Sequence, residues 1–228
     1  MLIEFCGIPA SGKSTLIQGL LGAGKCNGWT FTRAVASAPS AVKMPRYVTR
    51  HPDRRQLYQA ARFRAAHGAF FAEADRLCGG VALDLFFFLL TAQSYQDWHD
   101  APARGAVVLF DEGLAGRAAA LSASRKQDAE PLALLAPLPS VLVMVDTPPE
   151  IAFDRATHRH GPSEKMRDAV ISLHGDEAMF TRRRTAMVET CAILETRGTP
   201  VVRVDATRSP EEAVGQAMAE LGQILPVQ

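Results

Sequence analysis

The chain has 228 residues, a hydrophobic fraction of 47% and a formal net charge of +1. That length suits a single α/β domain, and the balanced charge gives no overall basic field to attract nucleic acid or an anionic membrane. The four cysteines form no C-x-x-C pair, which argues against a zinc site or a disulfide framework. The first residues pass directly into a predicted strand and a glycine-containing loop, so we expect no secretory leader. The most apolar stretch reaches about half of the ~20 residues that span a membrane. We therefore expect a cytoplasmic protein with neither a membrane nor a nucleic-acid partner.

The first predicted element is a short buried strand at Leu2–Cys6, followed by a glycine-containing loop and a helix that begins at Lys13. Later strands are predicted at 107–110, 141–145 and 201–204, with a weaker one at 29–32. The three later apolar runs each end at an acidic residue, namely Asp111, Asp146 and Asp205. Short strands rich in branched residues and separated by helices predict an α/β fold of three layers, with a parallel sheet between helices.

Two predicted helices have clear start signals. Thr147-Pro148-Pro149-Glu150 and Ser209-Pro210-Glu211-Glu212 each place a hydroxyl three residues before a glutamate, with proline at the first helical position. Further helices are predicted over 52–77, 81–98 and 166–197, and a loop over 34–52. No repeat or interdomain linker is visible, so residues 1–228 are expected to form one domain.

The loop after the first strand, Gly7 to Ser14, fits the pattern G-x-x-x-x-G-K-S. Such a loop binds phosphate when it joins a strand to a helix N-terminus, and both flanks here favour that arrangement. Its glycines let backbone N–H groups face the phosphates, Lys13 supplies a positive charge, and Ser14 offers a hydroxyl to Mg2+. The predicted ATP-binding residues of this loop are Gly7, Ala10, Ser11, Gly12, Lys13, Ser14 and Thr15.

Two carboxylates, Asp111 and Glu112, follow the strand at 107–110. Ligands of parallel sheets collect outside the carboxyl ends of the strands, so we expect Asp111 to hold Mg2+ directly or through water. Three roles fit Glu112: accepting the proton of an acceptor hydroxyl, orienting a water for hydrolysis, or binding a substrate cation.

Arginines supply a third signal. Arg155 and Arg159 are four residues apart, hence on one face of a helix that ends at a glycine-proline break. Arginines of a closing lid stabilise the charge of phosphoryl transfer, whereas the alternative is a surface helix end with favourable cations. Seven basic residues between Lys43 and Arg64 form either a solvated face or a site for an anionic acceptor. Arg182 to Arg184 are expected to form a solvated stripe.

Together these motifs resemble the nucleoside and nucleotide kinase group of P-loop proteins, with a layout similar to thymidylate kinases. The resemblance is carried by the loop from Gly7, by Asp111, by the segment 145–152 leading to Arg155, and by 204–206. It implies a five-stranded parallel core, a lid over about 155–165, and Arg155 close to the adenine or phosphates. It also implies that Asp205 and Ala206 lie beside the adenine.

The acceptor is defined less well. Thymidylate kinases usually follow the strand aspartate with an arginine, whereas this chain has Glu112 and then Gly113. A negative charge there repels a monophosphate unless a metal or Arg117 screens it, so an acceptor hydroxyl fits better. Residues 34–98 are the predicted acceptor-binding region. The sequence thus predicts an ATP- and Mg2+-dependent kinase that acts on a nucleoside, nucleotide or related alcohol. The alternative is a P-loop ATPase with a mechanical or regulatory role. The family resemblance also implies a possible homodimer.

Overall fold

The structure is a computed structural model that describes residues 1–33, 61–79, 88, 91, 92, 95, 96, 98, 105–158 and 164–228. Residues 88, 91, 92, 95, 96 and 98 are helical, in agreement with the helix predicted over 81–98. The predicted loop over 34–52 and the lid residue Arg159 lie outside the described residues.

Within the described residues the sheet has six strands in the order β2-β3-β4-β1-β5-β6. The strands are β1 (Leu2–Cys6), β2 (Lys25–Cys26), β3 (Trp29–Arg33), β4 (Ala106–Asp111), β5 (Val141–Asp146) and β6 (Val201–Asp205). All neighbouring pairs are parallel except β2 and β3. The five predicted parallel strands are confirmed, and the described sheet has a sixth, antiparallel strand, β2, that was not predicted. The additional β2 is a two-residue strand joined to β3 by Asn27-Gly28, and two residues are too few for a periodicity to appear.

The described helices are α1 (Lys13–Ala23), α2 (Ala61–Ala66), α3 (Gly68–Cys78), α4 (Leu114–Arg125), α5 (Glu130–Leu135), α6 (Pro149–His158), α7 (Glu164–His174), α8 (Glu177–Thr196) and α9 (Pro210–Ile224). The helix predicted over 166–197 is in fact two, because Gly175 adopts a φ of +86° and Asp176 caps the start of α8 by accepting from Met179 N. Of the helix predicted over 52–77, residues 61–77 are described, and they are interrupted at His67, whose φ of −121° is not helical. Among the described residues, no helix combines the length and apolarity needed to cross a membrane.

Helices cover both faces of the sheet, as predicted. Ile3 and Phe5 of β1 point to one face, where they form a core with buried residues of α1 and α9. Leu2 and Cys6 point to the other face, where the core includes residues of α3, α4, α5 and α8. Burying a large apolar side chain stabilises a fold by about 1.5–3 kcal/mol. Both faces of β1 are therefore fixed by packing, and the loop that leaves this strand starts from a rigid position.

The carboxyl end of β1 lies between those of β4 and β5. Phe5 is in register with Asp111, and at the other side of the sheet Asp146 is in register with Asp205. Because the five parallel strands end at one edge, their terminal side chains surround the loop that follows β1.

Helix α9 begins with a complete capping box: Ser209 Oγ accepts from Glu212 N at 3.3 Å, and Glu212 Oε2 accepts from Ser209 N at 3.0 Å. Replacing Ser209 with alanine removes one of these bonds, and we expect the protein to lose about 1 kcal/mol of unfolding free energy. Urea denaturation measures this loss. Ser124→Ala is the control because Ser124 is exposed and bonds only within α4, to Ala120 O; its effect should stay within about 0.5 kcal/mol. An equal loss in both variants would contradict the role of the cap.

Candidate active site

The loop between β1 and α1 is held in one shape by its backbone and its neighbours. Gly12 has a φ of +98°, a conformation that favours glycine. A Cβ on Gly7 would lie 2.6 Å from Ser11 Oγ and 2.7 Å from Val145 O, so only glycine fits there. Ser11 N donates to Ile8 O at 3.1 Å, and Ser11 O accepts from Thr147 Oγ1 at 3.0 Å. The exit of β5 therefore supports the loop from behind.

Lys13 is buried at the start of α1 and folds back over the loop. Its Nζ donates to Gly7 O at 2.7 Å and to Ile8 O at 3.1 Å, and it lies 3.6 Å from Glu112 Oε1. A buried ammonium group is costly unless it is hydrogen-bonded and paired, and these partners satisfy it. The amine is thereby fixed over the mouth of the loop.

Ser14 and Asp111, the two predicted metal-binding residues, contact each other. Ser14 Oγ donates to Asp111 Oδ2 at 3.0 Å, and the same carboxylate oxygen accepts from an Arg33 nitrogen at 3.2 Å. A hydroxyl and a carboxylate form an oxygen-only donor pair, which is the type that Mg2+ prefers. Arg33 was not predicted as a site residue. It lies at the end of β3, just as Asp111, Asp146 and Asp205 lie at the ends of their strands.

Glu112 is held in an unusual backbone conformation. Its φ is +62°, which is uncommon for a residue other than glycine, and its N–H donates to Phe5 O at 3.2 Å. Its Oε2 lies 3.1 Å from an Arg117 nitrogen, on the opposite side from Lys13. The β1 backbone and two cations thus determine where this carboxylate points.

Electrostatics keep Glu112 ionised. Partial burial disfavours the charged form, but the charges of Arg117 and Lys13 outweigh this effect and hold the pKa of the Glu112 carboxyl below its ordinary value. The charge of His174, at the end of α7, acts in the same direction. Glu112 is therefore an anion at neutral pH, able to accept a proton or a hydrogen bond.

A pocket of about 250 Å³ lies on the other side of the loop, next to the ends of β5 and β6. Its lining consists of Ala10, Gly12, Thr15, Leu16, Val145, Arg155, Val204, Ala206, Arg208, Pro210 and Ala213. Five of these were predicted to bind the nucleotide: Ala10, Gly12, Thr15, Arg155 and Ala206. The Arg155 guanidinium donates through both terminal nitrogens to Ala206 O, each at 3.1 Å. The lining thus combines apolar side chains with two arginines, Arg155 and Arg208. Periodicity alone does not show which apolar residues line a pocket.

Asp205, also predicted to bind the nucleotide, is absent from that lining. Its Oδ1 accepts from Thr207 N at 2.9 Å and from Thr207 Oγ1 at 2.6 Å, and Arg208 Nε lies 3.3 Å from Oδ2. These hydrogen bonds lower the pKa of the Asp205 carboxyl. Its carboxylate organises the loop that carries Ala206 and Arg208 into the pocket.

Arg184, which belongs to the predicted solvated stripe Arg182 to Arg184, has 38% of its side chain exposed and also forms a specific ion pair. Arg184 Nε and a terminal nitrogen donate to the two oxygens of Asp146, at 2.7 and 2.8 Å. This bidentate pair joins α8 to the end of β5, next to Thr147. The contact spans 38 positions of sequence, which helical periodicity alone does not reveal.

Only part of the predicted acceptor-binding region is described. Of the seven basic residues, Arg62 and Arg64 are described; Arg64 lies 3.9 Å from Asp75 and stacks over the Phe71 ring at 5.6 Å. Tyr95 is buried, and its hydroxyl donates to Glu4 Oε2. The side chains of Arg64 and Tyr95 therefore contribute to packing and to pairing within the protein.

No family model and no curated protein matches the sequence. Solved structures of a deoxyadenosine kinase from M. mycoides match over nearly the whole of both chains. The complex with dCMP and dCDP has a TM-score of 0.58 at 12% identity and covers 98% of this chain and 100% of that one. The dATP complex has a TM-score of 0.55 at 12% identity and covers 97% of this chain and 99% of that one. The dCTP complex has a TM-score of 0.57 at 12% identity and covers 98% of this chain and 100% of that one. This similarity establishes that the chain has the fold of P-loop nucleoside kinases.

Gly7→Ala should disrupt the loop because the added methyl group overlaps Ser11 Oγ and Val145 O. We expect ATP affinity, measured by calorimetry, to fall by about 100-fold or more while the protein remains folded. Gly22→Ala is the matched control: it lies in α1 with no atom within 4 Å of an added Cβ, so it should keep wild-type ATP affinity. Wild-type affinity in Gly7→Ala would show that the loop does not bind the nucleotide.

Proposed function

We propose that the chain is an ATP-dependent kinase that transfers the γ-phosphoryl group to a hydroxyl of a small molecule, with a nucleoside as the acceptor class best supported. One observation carries the proposal. Lys13, Ser14, Asp111 and Glu112 meet at the mouth of a glycine-containing loop, each within 3.6 Å of another member of the group. This is the combination of charge, metal ligand and base that phosphoryl transfer requires.

ATP fits the site through two adjoining features. The backbone N–H groups of the loop and the N-terminus of α1 favour phosphates. The apolar pocket edged by Arg155 and Ala206 has the character of a site for a base. Ser11 Oγ is buried without a partner and is one more polar atom of the loop. The binding of dATP and dCTP by the structurally similar kinase supports the proposal that this edge of the fold binds a nucleoside triphosphate.

Ser14 and Asp111 are the residues proposed to hold Mg2+. Their oxygen donor set fits that ion, and Asp111 already shares its carboxylate with a cation, the side chain of Arg33. When bound, Mg2+ neutralises charge on the β- and γ-phosphates. Lys13 supplies a second positive charge at the loop, from a position fixed by Gly7 O and Ile8 O.

Glu112 is the proposed general base. It is ionised, lies next to Lys13, and is open to solvent with 43% of its side chain exposed. Accepting the proton of an acceptor hydroxyl increases the nucleophilicity of the attacking oxygen. The ion pair with Arg117 also reduces the repulsion that the sequence predicts for a monophosphate acceptor. The acceptor preference for a nucleoside is therefore supported mainly by the fold shared with deoxyadenosine kinase, rather than by charge alone.

Arg155 and Arg159 are proposed to act from the lid. In the structure Arg155 is held by Ala206 O, beside the pocket, so it is available to contact a base or a phosphate. Arginines placed over the transferring group stabilise charge that develops in the transition state.

Wild-type protein should release ADP only when an acceptor is present, in a screen of nucleosides, nucleotides and small alcohols with MgATP. Lys13→Ala and Asp111→Ala should each lower kcat/KM by about 100-fold or more, because each removes charge complementary to the phosphates or the metal. Lys25→Ala and Asp128→Asn are controls, since both residues are exposed, and should retain wild-type rates. Full activity in Lys13→Ala would refute the proposal.

Glu112→Gln separates the kinase from the alternative ATPase. A base for the acceptor hydroxyl predicts that this variant loses about 100-fold in acceptor-dependent turnover while ATP still binds. In the alternative, wild type releases ADP at comparable rates with and without acceptor, and Glu112→Gln loses this activity. That result would indicate that Glu112 orients water for hydrolysis. The oligomeric mass of the protein, measured by size exclusion with and without ATP, then shows whether ATP promotes the assembly that such an ATPase needs.

A further inference from the structure

A fully buried carboxylate lies behind the site and has no role in the proposed chemistry. Glu4 is in the middle of β1, three residues before Gly7, and its exposed fraction is 0%. An isolated buried carboxylate costs several kcal/mol, so such a residue persists only where specific partners satisfy it.

The partners of Glu4 come from the first turn of α4. Its Oε1 accepts from Gly116 N at 2.9 Å, one of the N–H groups that a helix N-terminus leaves without an intrahelical partner. Gly113 packs directly on the carboxyl group, and a Cβ at that position would overlap the Glu4 side chain. Glu4 therefore caps α4 from inside the protein, and the absence of a side chain at Gly113 makes the approach possible.

That same turn carries Glu112 on its open side. Glu112 immediately precedes Gly113 and has the positive φ already described. Arg117 follows Gly116, pairs with Glu112 and also exerts its charge on Glu4. Glu4 and Glu112 thus lie on opposite sides of one short turn, with Arg117 interacting with both.

The second oxygen of Glu4 connects this turn to the region that precedes β4. Tyr95 Oη donates to Glu4 Oε2 at 2.5 Å. The Tyr95 ring packs against Phe110 of β4 at 4.9 Å and against Phe63 of α2 at 5.5 Å between centroids. Gln96 Oε1 in turn accepts from Phe63 N at 3.3 Å. The helical residues around Tyr95 are therefore joined to the α4 turn through one carboxylate.

We propose that Glu4 is a positioning residue for the acceptor step: together with Tyr95 it holds the Glu112-Gly113 turn, and so couples the helix around Tyr95 to the orientation of Glu112. The proposal rests on the proposed function. It predicts an effect on the acceptor reaction, because Glu4 contacts the α4 turn and makes no contact with the pocket edged by Arg155.

Ionisation gives this role a pH dependence. Burial raises the pKa of the Glu4 carboxyl to about 7, against the hydrogen bonds from Tyr95 and the α4 backbone and the charge of Arg117. The Cys6 thiol also interacts with Glu4, and burial raises the pKa of Tyr95 well above its ordinary value. Because the folded-state pKa is raised, the contribution to stability is complete below the unfolded-state value and is lost as pH rises through about 7. The ionised form accepts both hydrogen bonds, so acceptor turnover should rise over the same range.

Kinetics of two variants test the coupling. Tyr95→Phe removes only the hydroxyl. Glu4→Gln keeps an acceptor for Gly116 N and offers Tyr95 an amide donor, but its side chain cannot ionise. We expect kcat/KM for the acceptor to fall about tenfold in each variant, with the ATP dissociation constant within about twofold of wild type. Glu4→Gln should also lack the wild-type change in rate near neutral pH. Ser122→Ala removes a buried hydroxyl that has no hydrogen-bond partner among the described residues, further along α4, so it is the control for a buried substitution in this helix and should alter none of these values.

Hydrogen exchange supplies a measurement that does not require activity. Amides of residues 113–117 should exchange several-fold faster in Tyr95→Phe and Glu4→Gln than in wild type or Ser122→Ala, while residues 7–15 keep their wild-type rates. Unchanged exchange in the α4 turn overturns the proposal, as do wild-type acceptor kinetics or an equal loss of ATP affinity. Should wild type phosphorylate no acceptor, the proposed function fails, and exchange alone decides whether Glu4 holds the turn.

Discussion

The pairing of β1 with β4 is the constraint on which the site depends. Phe5 stands opposite Asp111, and the Phe5 carbonyl accepts from Glu112 N at 3.2 Å. These backbone contacts place the two carboxylates beside the loop that leaves β1. The cores on both faces of the sheet keep that register fixed, since a shift of one residue would exchange the buried faces of a strand. The distances among Lys13, Ser14 and the carboxylates are thus a consequence of strand pairing.

Charge at this edge of the sheet is arranged in matched pairs. Arg33 faces Asp111, Arg117 faces Glu112, and Arg184 binds Asp146. Two of these pairs orient a carboxylate next to the loop, and the third supports the strand from which Thr147 reaches Ser11. An ionic site that is already oriented before its ligand arrives loses little energy to reorganisation. Although the net charge of the chain is only +1, many charged side chains are concentrated at this edge of the sheet.

Local patterns were sufficient for the parallel sheet, for α1, and for the start of α9, because periodicity and caps act over a few residues. At α6 the Thr147 hydroxyl, predicted to cap the helix, instead donates to Ser11 O, and the helix begins at Pro149. They were insufficient where contacts join distant segments, such as Arg33 with Asp111 or Tyr95 with Glu4, 78 and 91 positions apart. Two local signals were available and unused. Asn27-Gly28 is the strongest short hairpin signal, and a glutamate inside an otherwise apolar strand, as at position 4, indicates a buried polar partner.

The lysine that closes the loop has a consequence for selectivity. Lys13 Nζ donates to Gly7 O and Ile8 O and lies 3.6 Å from Glu112 Oε1, so the loop and the carboxylate together satisfy this buried cation. A free inorganic anion must compete with two carbonyls and a carboxylate for that amine, with a single charged group to offer. Under the proposed function, a polyphosphate chain contacts several backbone amides of the loop as well as the amine. Under the proposed function, this competition for the lysine favours a nucleoside triphosphate over a simple inorganic anion.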